Sequence, residues 1–388
     1  MQTLSAIAAL LLSVLLLIAG NSLISLVAPV RADLEGFGDL SIGLLGSAYF
    51  AGMLAGTLAT PAIVRRVGHI RAFAAFVAFA IVAAVLMPIA VAPLPWLGCR
   101  ALMGFVFAGI YAVIEAWINA KADNQNRGAL YGVYQIVNFA ASAGGQLLLR
   151  AFDPRMFAPF AVSAALLACG IAPLALTSTD APEQPRTIDL RMVWLARLVP
   201  VSVAAAFVAG AANGAASALG ALYALRIGLK PVAVPLFTAA LALGSALSVY
   251  PVGRLSDWID RRWMIVVAMG AGAAFEAVLA YLAPHGATLV ALGFLIGLTT
   301  YTLYTLATSH ANDRVAEHEM VQVSSSLLFV YSLGAIAAPA LASALMSALG
   351  PSALFVQNAA LHFALVGFTL WRIAGHKRAG APAATVSP

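Results

Sequence analysis

The feature that most constrains this chain is its opening run, Leu4 to Val30, 27 residues without a charged side chain. Eleven further apolar stretches follow, separated by short connections that hold most of the charge. A hydrocarbon core about 30 Å thick is crossed by about 20 apolar residues of helix, so runs of this length read as membrane spans. Composition agrees. Of 388 residues 62% are hydrophobic and only 9% charged, and the mean hydropathy is +0.95, whereas a soluble domain is about 25% charged. The chain is expected to be an all-α integral membrane protein of twelve spans, which together use its length and leave no room for a soluble catalytic domain. The opening run has no basic n-region and is too long for a signal-peptide core, so it is expected to be a retained first span.

Punctuation by polar residues places spans at 4–30, 41–64, 70–92, 96–119, 127–149 and 157–177, then at 195–224, 232–255, 263–283, 288–310, 321–347 and 353–373. The one internal stretch with the character of a water-exposed linker holds Asp180, Pro182, Glu183, Pro185, Arg186 and Asp189. The expected organisation is an N-terminal six-helix bundle over 1–177, a linker over 178–192, a C-terminal six-helix bundle over 193–373, and a disordered tail over 374–388. Lys and Arg in alternate connections number fourteen on the side of the linker and termini against six on the other, which puts linker and termini in the cytoplasm. The net charge of +6 therefore marks topology, and nucleic-acid binding is not expected. Cys99 and Cys169, the only cysteines, sit inside apolar stretches, without metal-ligand spacing. No metal or cofactor is expected.

At an offset of 192 the two halves superimpose, with Asn21 on Asn213, Ser25 on Ser217 and the basic loop Arg66 to Arg71 beside Trp258 to Trp263. Gly253-Arg254-Leu255-Ser256-Asp257 followed by Asp260-Arg261-Arg262 resembles the loop motif of the major facilitator superfamily. The first-half copy is degraded, with Pro61 in place of the glycine and Arg65 in place of the acid. Arg100-x-x-x-Gly104, Glu115-Ala116-Trp117-Ile118-Asn119 and Arg127-Gly128 are similar to the YcaD-like branch of bacterial facilitators. The resemblance covers the whole chain. It implies two pseudo-symmetric bundles that rock about a midplane site, a monomer, and a bacterial cytoplasmic (inner) membrane as the location.

The loop motif implies latches between the halves, with a carboxylate attracted to the N-terminal end of a helix of the other half. Asp257 should face the start of span five near Arg127, with Arg261 and Arg262 beside it. Because an arginine replaces the first-half acid, Arg65 or Arg66 is expected to pair with Glu317 or Glu319. The competing reading is that these arginines only set topology.

Ionisable residues within spans are costly, and each is a functional candidate. Arg100, Gly104, Ala108, Tyr111 and Glu115 share one face of span four, with Arg100 and Glu115 about 22 Å apart. The resemblance turns that span toward the central cavity, so Arg100 is expected in the outer part of the path and Glu115 in the inner part. Glu115 is a candidate proton carrier, or else an acid closing the helix end. Glu276 and His362 fall in spans that are peripheral supports in the family, which favours packing or interhelical hydrogen bonds for both. Uncharged groups make the broader signature: Asn21 and Ser25, their repeats Asn213 and Ser217, then Tyr131, Gln135, Asn138, Ser142 and Gln146 of span five, and Thr299 to Thr308 of span ten with Tyr301 and Tyr304. They describe a nearly neutral, hydrogen-bonding pocket, although such groups also hold membrane helices together.

Function classes separate accordingly. ATP hydrolysis needs a G-x-x-x-x-G-K-[ST] loop, and the chain has no Gly-Lys dipeptide. His310, His318 and His362 have neither spacing nor partners for a catalytic centre, so an enzyme is not expected. The expected function is secondary transport of a small neutral, zwitterionic or monoanionic organic solute, with the proton as coupling ion. A proton-driven exporter of hydrophobic compounds and a non-transporting receptor are the alternatives. The first is disfavoured by Ala143-Gly144-Gly145-Gln146, which lacks the Gly-Pro step of the family's exporters.

Overall fold

The computed structural model describes residues 2–121, 127–175, 192–256, 258–316 and 319–379. Among them there is no strand. The helices are α1 (Gln2–Leu34), α2 (Asp39–Val67), α3 (His69–Ile89), α4 (Pro93–Lys121), α5 (Arg127–Leu148), α6 (Ala158–Ala175), α7 (Met192–Leu198), α8 (Pro200–Arg226), α9 (Val234–Ser256), α10 (Arg261–Leu282), α11 (Gly286–Thr300), α12 (Leu303–Asn312), α13 (Met320–Leu349) and α14 (Ala353–Ala379). Nine segments of the described residues are long and apolar enough to cross a membrane, with α11 and α12 counted as one. Of the other three stretches expected to span, α6 and α9 have apolar cores shorter than that standard. The remaining one, α5, is long enough but interrupts its apolar residues with Tyr131, Gln135, Asn138, Ser142 and Gln146.

The elements depart from expectation in three places. The seventh stretch is broken at Val199, after which Pro200 starts α8 at a first-turn position where its missing N–H costs nothing. The tenth is broken at Tyr301 and Thr302. The last helix continues to Ala379, six residues into the tail expected to be disordered from 374, while 380–388 and most of the expected linker, 178–191, lie outside the described residues.

Helices α1 to α6 pack chiefly on one another, and α8 to α14 do the same. The closest approaches repeat between these two sets. In the first, α2 lies against α4 where a side chain at Gly52, Gly56 or Gly104 would collide with the facing backbone, and Gly145 of α5 meets the backbone of Ala19 in α1. In the second, α9 lies against α11 at Gly244 and Gly297, and α8 against α13 at Gly210 and Gly334. Small residues let helices approach closely enough for backbone van der Waals contact, the main attraction available between helices in lipid. Gly144, beside Gly145 in α5, faces open space instead. The two sets meet through α2 with α13, α5 with α9, and α1 with α8. Residues such as Leu94, Ile136, Leu247 and Val267 are exposed around the periphery, as lipid contact requires.

Candidate functional site

Where α1, α2, α4 and α5 face α8, α9 and the α11–α12 junction, a cavity of about 310 Å³ opens between the two sets of helices. The four-residue spacing of Asn21 and Ser25 places both on one face of α1, and the same spacing brings Asn138, Ser142 and Gln146 to the wall from α5. Opposite, the polar lining is Thr238 and Ser245 of α9 with Ser217 of α8 and Tyr301, the last two with hydroxyl oxygens 3.3 Å apart. Hydrogen bonds fix the wall. The Asn21 amide donates to the Tyr49 hydroxyl at 3.1 Å, and Ser22 donates to Ser142 at 3.2 Å, tying α1 to α2 and to α5. Among the described residues, no carboxylate and no lysine lines this space.

The structure thus brings Asn21, Ser25, Asn138, Ser217 and Tyr301 to one cavity and leaves the other expected path residues outside its wall. Arg100 is buried directly behind the wall: its guanidinium lies over the Tyr49 ring, 4.4 Å from the centroid, and donates to Ser25 at 3.3 Å. Asn213 is buried and donates to the Tyr331 hydroxyl, and Tyr304 packs edge-on to Tyr331 at 5.2 Å. Gln135 lies outside the wall as well, and Tyr131 packs edge-on to Tyr134 at 6.2 Å. Glu115 reaches the cavity only through others. Asn138, on the wall, donates to the Tyr134 hydroxyl, which donates to the Glu115 carboxylate.

The polar run of span ten behaves differently from a cavity signature. Thr299, Thr300, Thr302 and Thr308 donate to the carbonyls of Leu295, Ile296, Thr299 and Tyr304 of their own segment, at 2.8 to 3.0 Å. Hydroxyls three or four residues after a carbonyl commonly bond back to it, and here they satisfy the backbone around the break at Tyr301. Glu276 and His362 form a buried pair, Nδ1 to Oε2 2.8 Å, joining α10 to α14.

Of the expected latches, Asp257, Glu317 and the Arg127 side chain lie outside the described residues. Glu319 accepts from the Ala316 backbone at 3.2 Å, and Arg66 is exposed. Arg65 is engaged in a contact of its own. Arg261 pairs with Asp313 at 2.6 Å, and Arg262 with Asp260 at 2.8 Å, both inside the second set of helices. The Arg262 side chain holds the Asp260 carboxyl down to about 2, and Asp260 also caps α10 by accepting from the Arg262 backbone.

A stronger link between the sets lies at the opposite end, where sequence reasoning had only counted charges. Arg226, the last residue of α8, donates through Nη2 to Asp33 at 2.7 Å and to Asp39 at 2.6 Å, and through Nε to Asp33 at 3.2 Å. Beside it, Ser343 of α13 donates to the Asp39 carbonyl. These contacts, with Gly43 and Gly46 of α2 against Pro339 and Ala218, close that end of the cavity. The available signal was the cluster Asp33, Glu35 and Asp39, the acids of a connection in a chain otherwise short of charge.

The sequence profile described as Major Facilitator Superfamily matches residues 10–249 and, again, 201–386. The chain belongs to that superfamily. Two overlapping matches to one profile agree with the repeated packing of the two sets. Among curated relatives, the Escherichia coli O45:K1 (strain S88 / ExPEC) protein described as "Uncharacterized MFS-type transporter YcaD" is 27% identical over 373 residues, covering 95% of each chain. Among solved structures, the nucleoside transporter NupG superposes with a TM-score of 0.80 at 12% identity, covering 94% of this chain and 98% of that one. A bacterial homologue of the human lysosomal transporter Spinster, inward-facing and occupied, gives 0.70 at 18% identity, covering 95% and 94%. The protein is therefore a multi-pass membrane transporter of the YcaD-like branch, with the all-α major facilitator fold.

Proposed function

We propose that the protein is a secondary transporter that carries a small organic solute through the central cavity by alternating access. The observation that carries this reading is a cavity, its wall set with hydroxyls and amides among apolar side chains, between two sets of helices whose link at one end is a separable cluster of ion pairs, Arg226 with Asp33 and Asp39. In this reading residues 1–177 and 193–373 are two six-helix bundles rocking about the cavity, with 178–192 as their cytoplasmic linker. Both termini lie in the cytoplasm of a bacterial inner membrane, and one chain is the working unit. The positive-inside count then makes the Arg226 end periplasmic, so the structure is closed to the outside. A cavity of about 310 Å³ is at the small end of ligand pockets, which favours a metabolite-sized solute over a bulky hydrophobic drug.

Glu115 is the proposed proton carrier. It is linked through Tyr134 and Asn138 to the cavity wall, so a solute there and a proton on Glu115 share one hydrogen-bonded path. Reconstituted protein should show counterflow of its solute, which a receptor would not, and uphill flux driven by an imposed pH gradient. Glu115→Gln should retain counterflow and lose gradient-driven accumulation; accumulation equal to wild type would exclude Glu115 as the coupling group.

A further inference from the structure

Arg100 is 6% exposed, and among the described residues its polar and ring contacts are to uncharged groups: the Ser25 hydroxyl at 3.3 Å and the face of the Tyr49 ring. Its Nε is buried without a hydrogen-bond acceptor, and the side-chain oxygen of Asn21, whose amide N–H bonds the same tyrosine, is buried without a donor. The acids on neighbouring helices are elsewhere. Glu115 is about 22 Å away along α4, and Asp33 and Asp39 are both taken up by Arg226. A guanidinium cannot shed its proton to escape burial, and a buried charge without a counter-charge is strongly unfavourable. The residues between Arg100 and the cavity are Ser25 and Tyr49, both part of the cavity wall.

We infer that the missing counter-charge is the solute: a small monocarboxylate whose carboxylate replaces the weak Ser25 contact and engages Arg100 as a planar pair. The inference rests on the reading of the central cavity as the transport site and narrows its substrate class. One guanidinium fork matches one carboxylate in both charge and geometry. A phosphate dianion would leave a charge unpaired. An amino acid would bring an ammonium group into a cavity with no acid to receive it.

Two measurements on the purified full-length protein test this. The first needs no ligand. Arg100→Met removes an uncompensated buried charge and keeps an apolar stem of comparable reach, so the thermal unfolding midpoint of the solute-free protein should rise by about 2 °C or more. A fall would identify Arg100 as a structural pin and overturn the inference. The second uses lactate, nicotinate and hydrocinnamate as probes, each against its amide, with phenylalanine as the zwitterionic counterpart of hydrocinnamate. Acids should stabilise and exchange across proteoliposomes at least about tenfold better than amides or phenylalanine, and Arg100→Met should abolish the difference. Amides matching acids, or acid preference surviving in Arg100→Met, would also overturn the inference. Exchange of neutral solutes alone would leave the transporter reading standing and this one refuted. If no probe exchanges, the midpoint shift still decides the role of Arg100.

Discussion

Replacing Arg226 by Gln should shift the balance between the two ends of the cavity. The side chain holds Asp33 and Asp39 together at 2.7 and 2.6 Å, with the three groups 22%, 24% and 25% exposed. Hydrogen bonds to charged partners contribute about 1.5–3 kcal/mol when shielded, and exposure reduces ion pairs toward 1 kcal/mol or less. At this intermediate burial about 1 kcal/mol for each pair is a reasonable magnitude, about 2 kcal/mol in all, before any repulsion between the two aspartates left behind. At 1.4 kcal/mol per factor of ten, that is a shift of roughly 30-fold toward states open at this end. A state populated at about 1% would rise to about a quarter. Spin labels at Leu40 of α2 and Leu349 of α13, both exposed, report the separation across this end once Cys99 and Cys169 are replaced. Arg226→Gln should raise the long-distance population, and so should Asp33→Asn combined with Asp39→Asn. Distance distributions indistinguishable from wild type in both variants would show that the cluster does not hold the end shut.

Other perturbations follow from packing and charge. Gly104→Ala should lower the unfolding midpoint, since a methyl group there meets the Tyr49 carbonyl oxygen, whereas Gly144→Ala should be neutral or stabilising by about 0.5–1 kcal/mol because nothing faces it and alanine favours helix. His362→Leu strands Glu276 in the interior and should cost about 3–5 kcal/mol, much of it recovered when Glu276→Leu is added; an unrecovered double variant would refute a simple charge account. Asp260 is held near 2, below the ordinary 3.8, so its pair with Arg262 contributes stability that is complete above about pH 4 and fades as pH falls toward 2. The pair is too exposed for that contribution to exceed about 1 kcal/mol. Arg262→Gln should therefore flatten the midpoint's pH dependence over that window, and an unchanged profile would remove the pair from the account.

Much of the candidate site was legible as spacing. Asn21 with Ser25, and Asn138 with Ser142 and Gln146, repeat every four residues, and a helix must place such residues on one face, which here lines the cavity. Spacing misled where side chains had a nearer partner. The threonines of span ten bond to carbonyls of their own segment, which no pattern of polar residues distinguishes from a cavity wall. Asn213 repeats Asn21 in sequence, yet its amide goes to Tyr331 because α13 lies within reach at Gly210. The polar face of α5, conversely, is why that helix falls below a purely apolar standard for a span while still lining the site.

Sequence alone determined the solvent of this protein, its helical class and its superfamily, because twelve charge-poor runs and two copies of a loop motif are local properties that survive without coordinates. Which charges meet is not local. Asp33 and Asp39 reach Arg226 across 193 and 187 residues, and the packing of α1 and α2 against α8 brings them into range. The same holds for Arg100: its charge could be read from the chain, but the absence of an acid beside it among the described residues became visible only when the helices around it were placed, since a counter-charge is defined by distance and not by position in sequence.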